Sequence, residues 1–127
     1  MRTSETNPAD WYMLAEDRLS AADAAHAAEG ATYAAVELLH EAAERVLKGY
    51  LVGRGWRLKR THDLTELVHE AAGHDQAFAL YEDMAEDLTD QFWAQHYPGG
   101  DLTDVGANYA DLRAAVQALF EQARQHP

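Results

Sequence analysis

Apolar residues recur along this chain at steps of three and four and nowhere alternate over the length of a strand, so every predicted element is a helix. The first runs from Pro8 to near Glu29. Asn7 can accept a bond from an unpaired amide, and proline at the first helical position loses nothing there. Its stripe is Trp11, Leu14, Ala15, Arg18, Ala22 and Ala25, turning alanine-rich where a neighbour can approach closely. Gly30 stops it. The second helix resumes at Ala31 or Thr32 and continues to about Val52, with Val36, His40, Ala43, Leu47 and Tyr50 on one face. Glu41 with Arg45, and Glu44 with Lys48, stand four apart on the flank in the favourable acid-before-base order, each adding ~0.2–0.5 kcal/mol. Gly53 and Gly55 end the helix by taking the left-handed conformation. The short connection between these two helices makes them antiparallel neighbours.

Asp63-Leu-Thr-Glu66 fits a capping box that opens a short third helix, expected to end by Ala72 at Gly73, with Thr61 as a competing cap. A fourth helix is expected from about Asp75 to Gln95, where Phe78, Tyr81, Ala85, Leu88 and Phe92 are evenly spaced. Its other side, Glu82, Asp83, Glu86, Asp87 and Asp90, reads as a solvated acidic face. Tyr97-Pro98-Gly99-Gly100 breaks the chain. The last helix starts between Thr103 and Asn108 and turns Tyr109, Leu112, Val116, Leu119, Phe120 and Ala123 inward. The expected architecture is all-α, an up-and-down helical bundle of four long helices plus one short helix, with residues 1–127 as one domain.

Composition narrows the function classes. The chain has no cysteine, which removes disulfides and thiolate metal sites, and no apolar run near the ~20 residues of a membrane span. The N-terminus lacks a signal peptide's basic and apolar regions, so a soluble, cytoplasmic protein without a membrane role is expected. Net charge is −12, which opposes non-specific binding to duplex DNA. Against that background, Arg45, Lys48, Arg54, Arg57, Lys59 and Arg60 follow one another with no acid between them. Such a segment is a place for phosphate or an acidic partner, or else a solvated turn paired with nearby carboxylates.

The string His40-Glu-Ala-Ala-Glu44-Arg-Val-Leu-Lys48, then a glycine turn, then Thr61-His62-Asp63-Leu64, closely resembles the HEPN family of helical domains. Members show an A-x-E-K/R-x-L-K-x-x-L helix followed by T/S-H-D-L. The matching positions are Ala42, Ala43, Glu44, Leu47, Lys48, Leu51, Thr61, His62, Asp63 and Leu64. The resemblance implies a nucleotide-, RNA- or partner-binding module that works as a homodimer. It also implies a nucleotidyltransferase partner in a toxin–antitoxin or defence setting, and no cofactor. Ribonucleases of the family use an Arg-x(4–6)-His motif on a late helix. Here Arg57 and His62 satisfy the spacing only in the turn, and His96-Tyr97-Pro98 stands where many relatives read Arg-Tyr-Pro. A histidine can serve as acid or base but lacks arginine's fixed, charged fork for phosphate. A divergent, metal-independent endoribonuclease toxin using His96 is therefore the alternative.

The expected binding surface comprises Lys48, Arg54, Arg57, Lys59 and Arg60, with His62 at its edge and Glu44 and Asp63 from the matched motif. An anion near the third helix would meet the helix dipole and these cations, unless Asp63 caps that terminus and occupies its amides. A third reading comes from spacing alone. Glu37-x-x-His40 and Glu66-x-x-His69 resemble the ligand pairs of di-metal bundles, although His40 also reads as a hydrogen-bonded core histidine and Glu66 as a cap. Nucleophilic catalysis has little support, since Ser4 and Ser20 are the only serines and neither lies in a Gly-x-Ser-x-Gly turn. Trp56 and Trp93 lie off their segments' main stripes and are candidates for a dimer surface.

Overall fold

The computed structural model describes residues 1–125, and every regular element among them is helical. Helix α1 spans Pro8–Glu29, α2 Tyr33–Val52, α3 Leu64–His74, α4 Glu82–His96 and α5 Tyr109–Gln125, with a 3-10 helix over Gln76–Tyr81 between α3 and α4. The architecture is the helical bundle that the periodicity predicts.

α2 is its central element, packing against α1, α3, α4 and α5. The predicted face of Val36, His40, Ala43, Leu47 and Tyr50 is buried, but so are Leu39, Ala42, Val46 and Leu51, so over its second half α2 is enclosed on nearly all sides. This corrects the expectation that Glu44 and Lys48 lie on a flank, because both are buried too. Glu41 and Arg45 do not pair through their side chains. Arg45 donates to the Glu41 carbonyl at 3.2 Å, and the Glu41 carboxylate instead meets Arg18 Nε at 3.3 Å.

The α1–α2 hairpin is antiparallel and tight at its open end. A Cβ added at Gly49 would lie 2.7 Å from Trp11 Cβ and 2.9 Å from the Tyr12 ring, so only glycine allows this approach. On α1 the predicted Ala15 and Ala22 are fully buried and Leu19 joins them. Reaching across from α5, the Tyr109 hydroxyl donates to the Ala22 carbonyl at 3.2 Å, Arg113 grips Asp23 with two nitrogens at 3.0 and 2.8 Å, and Arg124 bonds Glu16. The Asp23–Arg113 bond pulls the Asp23 carboxyl below its ordinary range and raises the guanidinium.

Four details differ from those expected. Gly53 stays right-handed (φ −62°) and Gly55 alone takes the left-handed region (φ 81°). α3 runs through Gly73 and stops at Asp75, whose extended backbone ends it and whose carboxylate accepts from the Ala77 amide at 3.0 Å. That bond, with Phe78 N on Asp75 O at 3.0 Å, tightens the next turn into the 3-10 helix, so the single helix expected over 75–95 is two pieces with a break at Tyr81. α5 begins one residue beyond the expected window, and all six of its predicted inward residues are buried.

Candidate functional site

α2, the residues before α3, and the C-terminal half of α4 enclose a groove of about 450 Å³. Its floor is Phe92. Three imidazoles lie against that ring, His96 at 4.0 Å between centroids, His40 at 4.5 Å and His62 at 5.2 Å. Two of them hold carboxylates. His62 Nδ1 donates to Glu44 Oε1 at 2.8 Å, and His96 Nε2 donates to Glu37 Oε1 at 2.6 Å. Lys48 Nζ approaches the other oxygen of Glu44 at 3.0 Å, so one carboxylate joins a buried ammonium to an imidazole on the groove wall.

His40 differs in kind. Nε2 donates to the His62 carbonyl at 2.8 Å, and because a carbonyl only accepts, the proton sits on Nε2 and leaves an acceptor lone pair on Nδ1. Nδ1 is buried without a partner among the described residues. Burial holds the His40 pKa below its ordinary value of 6.5, which suits the neutral tautomer. At the open side, Trp93 and Tyr97 stack at 5.6 Å and are 43% and 63% exposed.

The residues singled out in the sequence divide between two surfaces. Glu44, His62, His96, Glu37 and His40 line the groove, with Lys48 behind Glu44. The basic turn lies outside it. There, Arg54 stacks over the Tyr50 ring at 4.0 Å, Lys59 pairs with Glu66 at 3.2 Å, and Arg60 pairs with Glu5 at 3.0 Å, while Arg57 is exposed. Asp63 caps α3, accepting from Thr65 N at 3.0 Å and Glu66 N at 3.4 Å, so the amides that would meet an anion are occupied. The two Glu-x-x-His pairs do not meet: Glu37 and His40 belong to the groove, Glu66 and His69 to a separate depression along α3 and α4. No group of three or more His, Asp or Glu among the described residues is arranged to hold a metal ion. Trp56 packs against the core, which leaves Trp93 as the exposed tryptophan of the two.

Residues 9–124 match the family model described as HEPN domain. The chain belongs to the HEPN domain family. No curated protein and no solved structure matches it. In this HEPN domain each residue of the stretch Thr61-His62-Asp63-Leu64 has a structural task. The Thr61 hydroxyl accepts from Asp63 N at 3.1 Å, His62 ties the turn to Glu44 by its ring and to His40 by its carbonyl, and Asp63 caps α3. Leu64 is fully buried and its amide donates to the Thr89 hydroxyl at 3.1 Å. On α2, Ala42, Ala43, Leu47 and Leu51 are all fully buried. His62 thus clamps α2 to the start of α3.

Phe92 as the hub of three histidines escapes the sequence reading, which places it in the core stripe. The i, i+4 spacings of Phe92 with His96 and of Trp93 with Tyr97 are the signal that could have found this wall.

Proposed function

We propose that this HEPN domain is a nucleotide- or RNA-binding module that meets phosphate with the basic turn, Arg54, Arg57, Lys59 and Arg60, and presents His62 at the turn's edge. The observation that carries this reading is the exposed Arg57 in a segment that concentrates positive charge on a chain of net charge −12. Because Asp63 occupies the α3 cap, phosphate is held by the turn's side chains alone, and affinity is weak and strongly salt-dependent. The biological setting is a toxin–antitoxin or defence system with a nucleotidyltransferase partner, and the module works as a homodimer. A salt series with short single-stranded RNA and with a mononucleotide tests the binding. Binding that weakens steeply with salt and is lost in Arg57→Ala plus Arg60→Ala is expected; binding unchanged in the double variant sinks the reading.

RNA cleavage is the second reading, favoured by one observation: His62 and His96 share the Phe92 ring and each holds a carboxylate, the arrangement a general acid and base need. Against it, Glu37, Glu41 and Glu44 line the same groove and oppose a phosphodiester, with Arg45 the one arginine in the lining. Incubation with total RNA separates the readings. Cleavage abolished by His96→Ala replaces the binding module with a nuclease.

A further inference from the structure

We propose that the groove between α2 and α4 receives an arginine side chain presented by a protein partner. Acceptors dominate the groove, and the one arginine in its lining, Arg45, is turned onto the Glu41 carbonyl at 3.2 Å. Glu37 and Glu41 stand one turn apart on α2 with their side chains about one third exposed, and each has one oxygen engaged, by His96 and by Arg18. His40 Nδ1, on a residue 1% exposed, is an acceptor lone pair with no partner among the described residues, fixed in that role by the Nε2 bond to the His62 carbonyl. The opposite wall is aromatic: Trp93 and Tyr97 offer their stacked faces at the opening, above Phe92.

Acceptors on one wall and ring faces on the other fit a planar donor cation. A guanidinium forks onto carboxylates and stacks on aromatic rings, whereas an ammonium does neither in plane. Phosphate is the poorest fit, since three carboxylates face it. A protein source is favoured over a free polyamine by the surroundings. The rim is apolar at Trp93 and Tyr97, and the neighbouring acidic side of α4, Glu86 and Asp90, is exposed, a surface complementary to a basic segment with an arginine at its centre. This proposal concerns the groove and stands apart from phosphate binding at the turn, so either can fail alone.

The test uses the full chain and the peptide acetyl-Gly-Arg-Gly-amide, followed by NMR at the Trp93 indole and the His96 ring. The arms are the lysine peptide, the uncharged citrulline peptide, spermidine and AMP. The expected result is saturable shifts with the arginine peptide, about tenfold weaker binding for citrulline, and a comparable loss in Glu37→Gln plus Glu41→Gln. An unchanged core methyl spectrum shows that the variant is folded, and Trp93→Ala, read at His96, gives an independent second variant. Equal binding of citrulline, of spermidine, or of AMP at the same signals overturns the proposal.

Discussion

Lys48–Glu44 and Lys59–Glu66 are the same chemical pair at nearly the same separation, 3.0 and 3.2 Å. Their surroundings are opposite. The first pair exposes 6% and 10% of its side chains, the second 56% and 38%. In water, holding two long side chains together offsets most of the attraction, and an open pair contributes ~0–1 kcal/mol. Out of water, each ion has lost its hydration, and removing one strands the other at a cost of ~3–5 kcal/mol. Distance alone therefore says little about what a charge does here. Enclosure separates the structural clamp at Glu44, which also seats His62, from the open pair Lys59–Glu66 at the basic turn.

The strongest way to break this contrast is Glu44→Ala. Stability in urea should fall by about 3 kcal/mol, because Lys48 is left buried and His62 loses its anchor. A loss below about 1 kcal/mol would mean that Lys48 reaches solvent easily and the enclosure has no energetic weight. The double variant Glu44→Leu with Lys48→Met sharpens the point. It should recover most of that loss, since an apolar pair of similar size removes both desolvated ions together.

Asp63→Ala should cost about 1 kcal/mol by thermal melting, the usual value of a helix cap. The same variant opens the α3 amides, so RNA binding at the turn should tighten; unchanged affinity would place the anion away from α3.

His40 supplies a pH-dependent arm. Its folded pKa is lowered, chiefly by burial. As pH falls below 6.5 the unfolded chain takes up this proton before the folded one does. Stability is therefore lost progressively from about that pH down through the lower folded value. In His40→Gln, which keeps a donor for the His62 carbonyl, the pH dependence of the melting midpoint should flatten over that window; an unaltered slope would assign it to other groups.

The smallest effect is expected for Lys59→Ala. It should change stability by less than about 0.5 kcal/mol while weakening RNA binding at low salt. A stability change as large as that of Glu44→Ala would erase the distinction between the two pairs.

The fold was largely legible because its periodic residues are also its buried ones. Every inward position expected on α5, from Tyr109 to Ala123, is enclosed, and so is the Val36 to Tyr50 face of α2. The 3-10 piece was not legible, since Phe78 and Tyr81 lie three apart and fit either helix, and the choice falls to the Asp75 side chain's grip on Ala77. At the site, sequence spacing places Glu44 beside Lys48 but does not show that other helices close over both. It cannot show that Glu37 reaches His96 either, a contact made only when the end of α4 lies against the start of α2. Residues far apart in the chain meet at Phe92, and that convergence has no local signature.

The ties from α5 to α1 bear on the order in which the molecule is assembled. The α1–α2 hairpin closes a short loop and has its partners at hand early in synthesis, so it forms at little entropic cost. The Ala22 carbonyl, Asp23 and Glu16 must wait for Tyr109, Arg113 and Arg124, separated from them by 87, 90 and 108 residues. Until α5 is made, the hairpin carries an uncovered seam, and α1 is held on one side only. Tyr109→Phe keeps the ring that stacks on His26 at 4.4 Å but removes the hydroxyl. In that variant the amides of α1 should exchange with solvent sooner than those of α2, and uniform exchange across both helices would show that the hairpin opens as one unit.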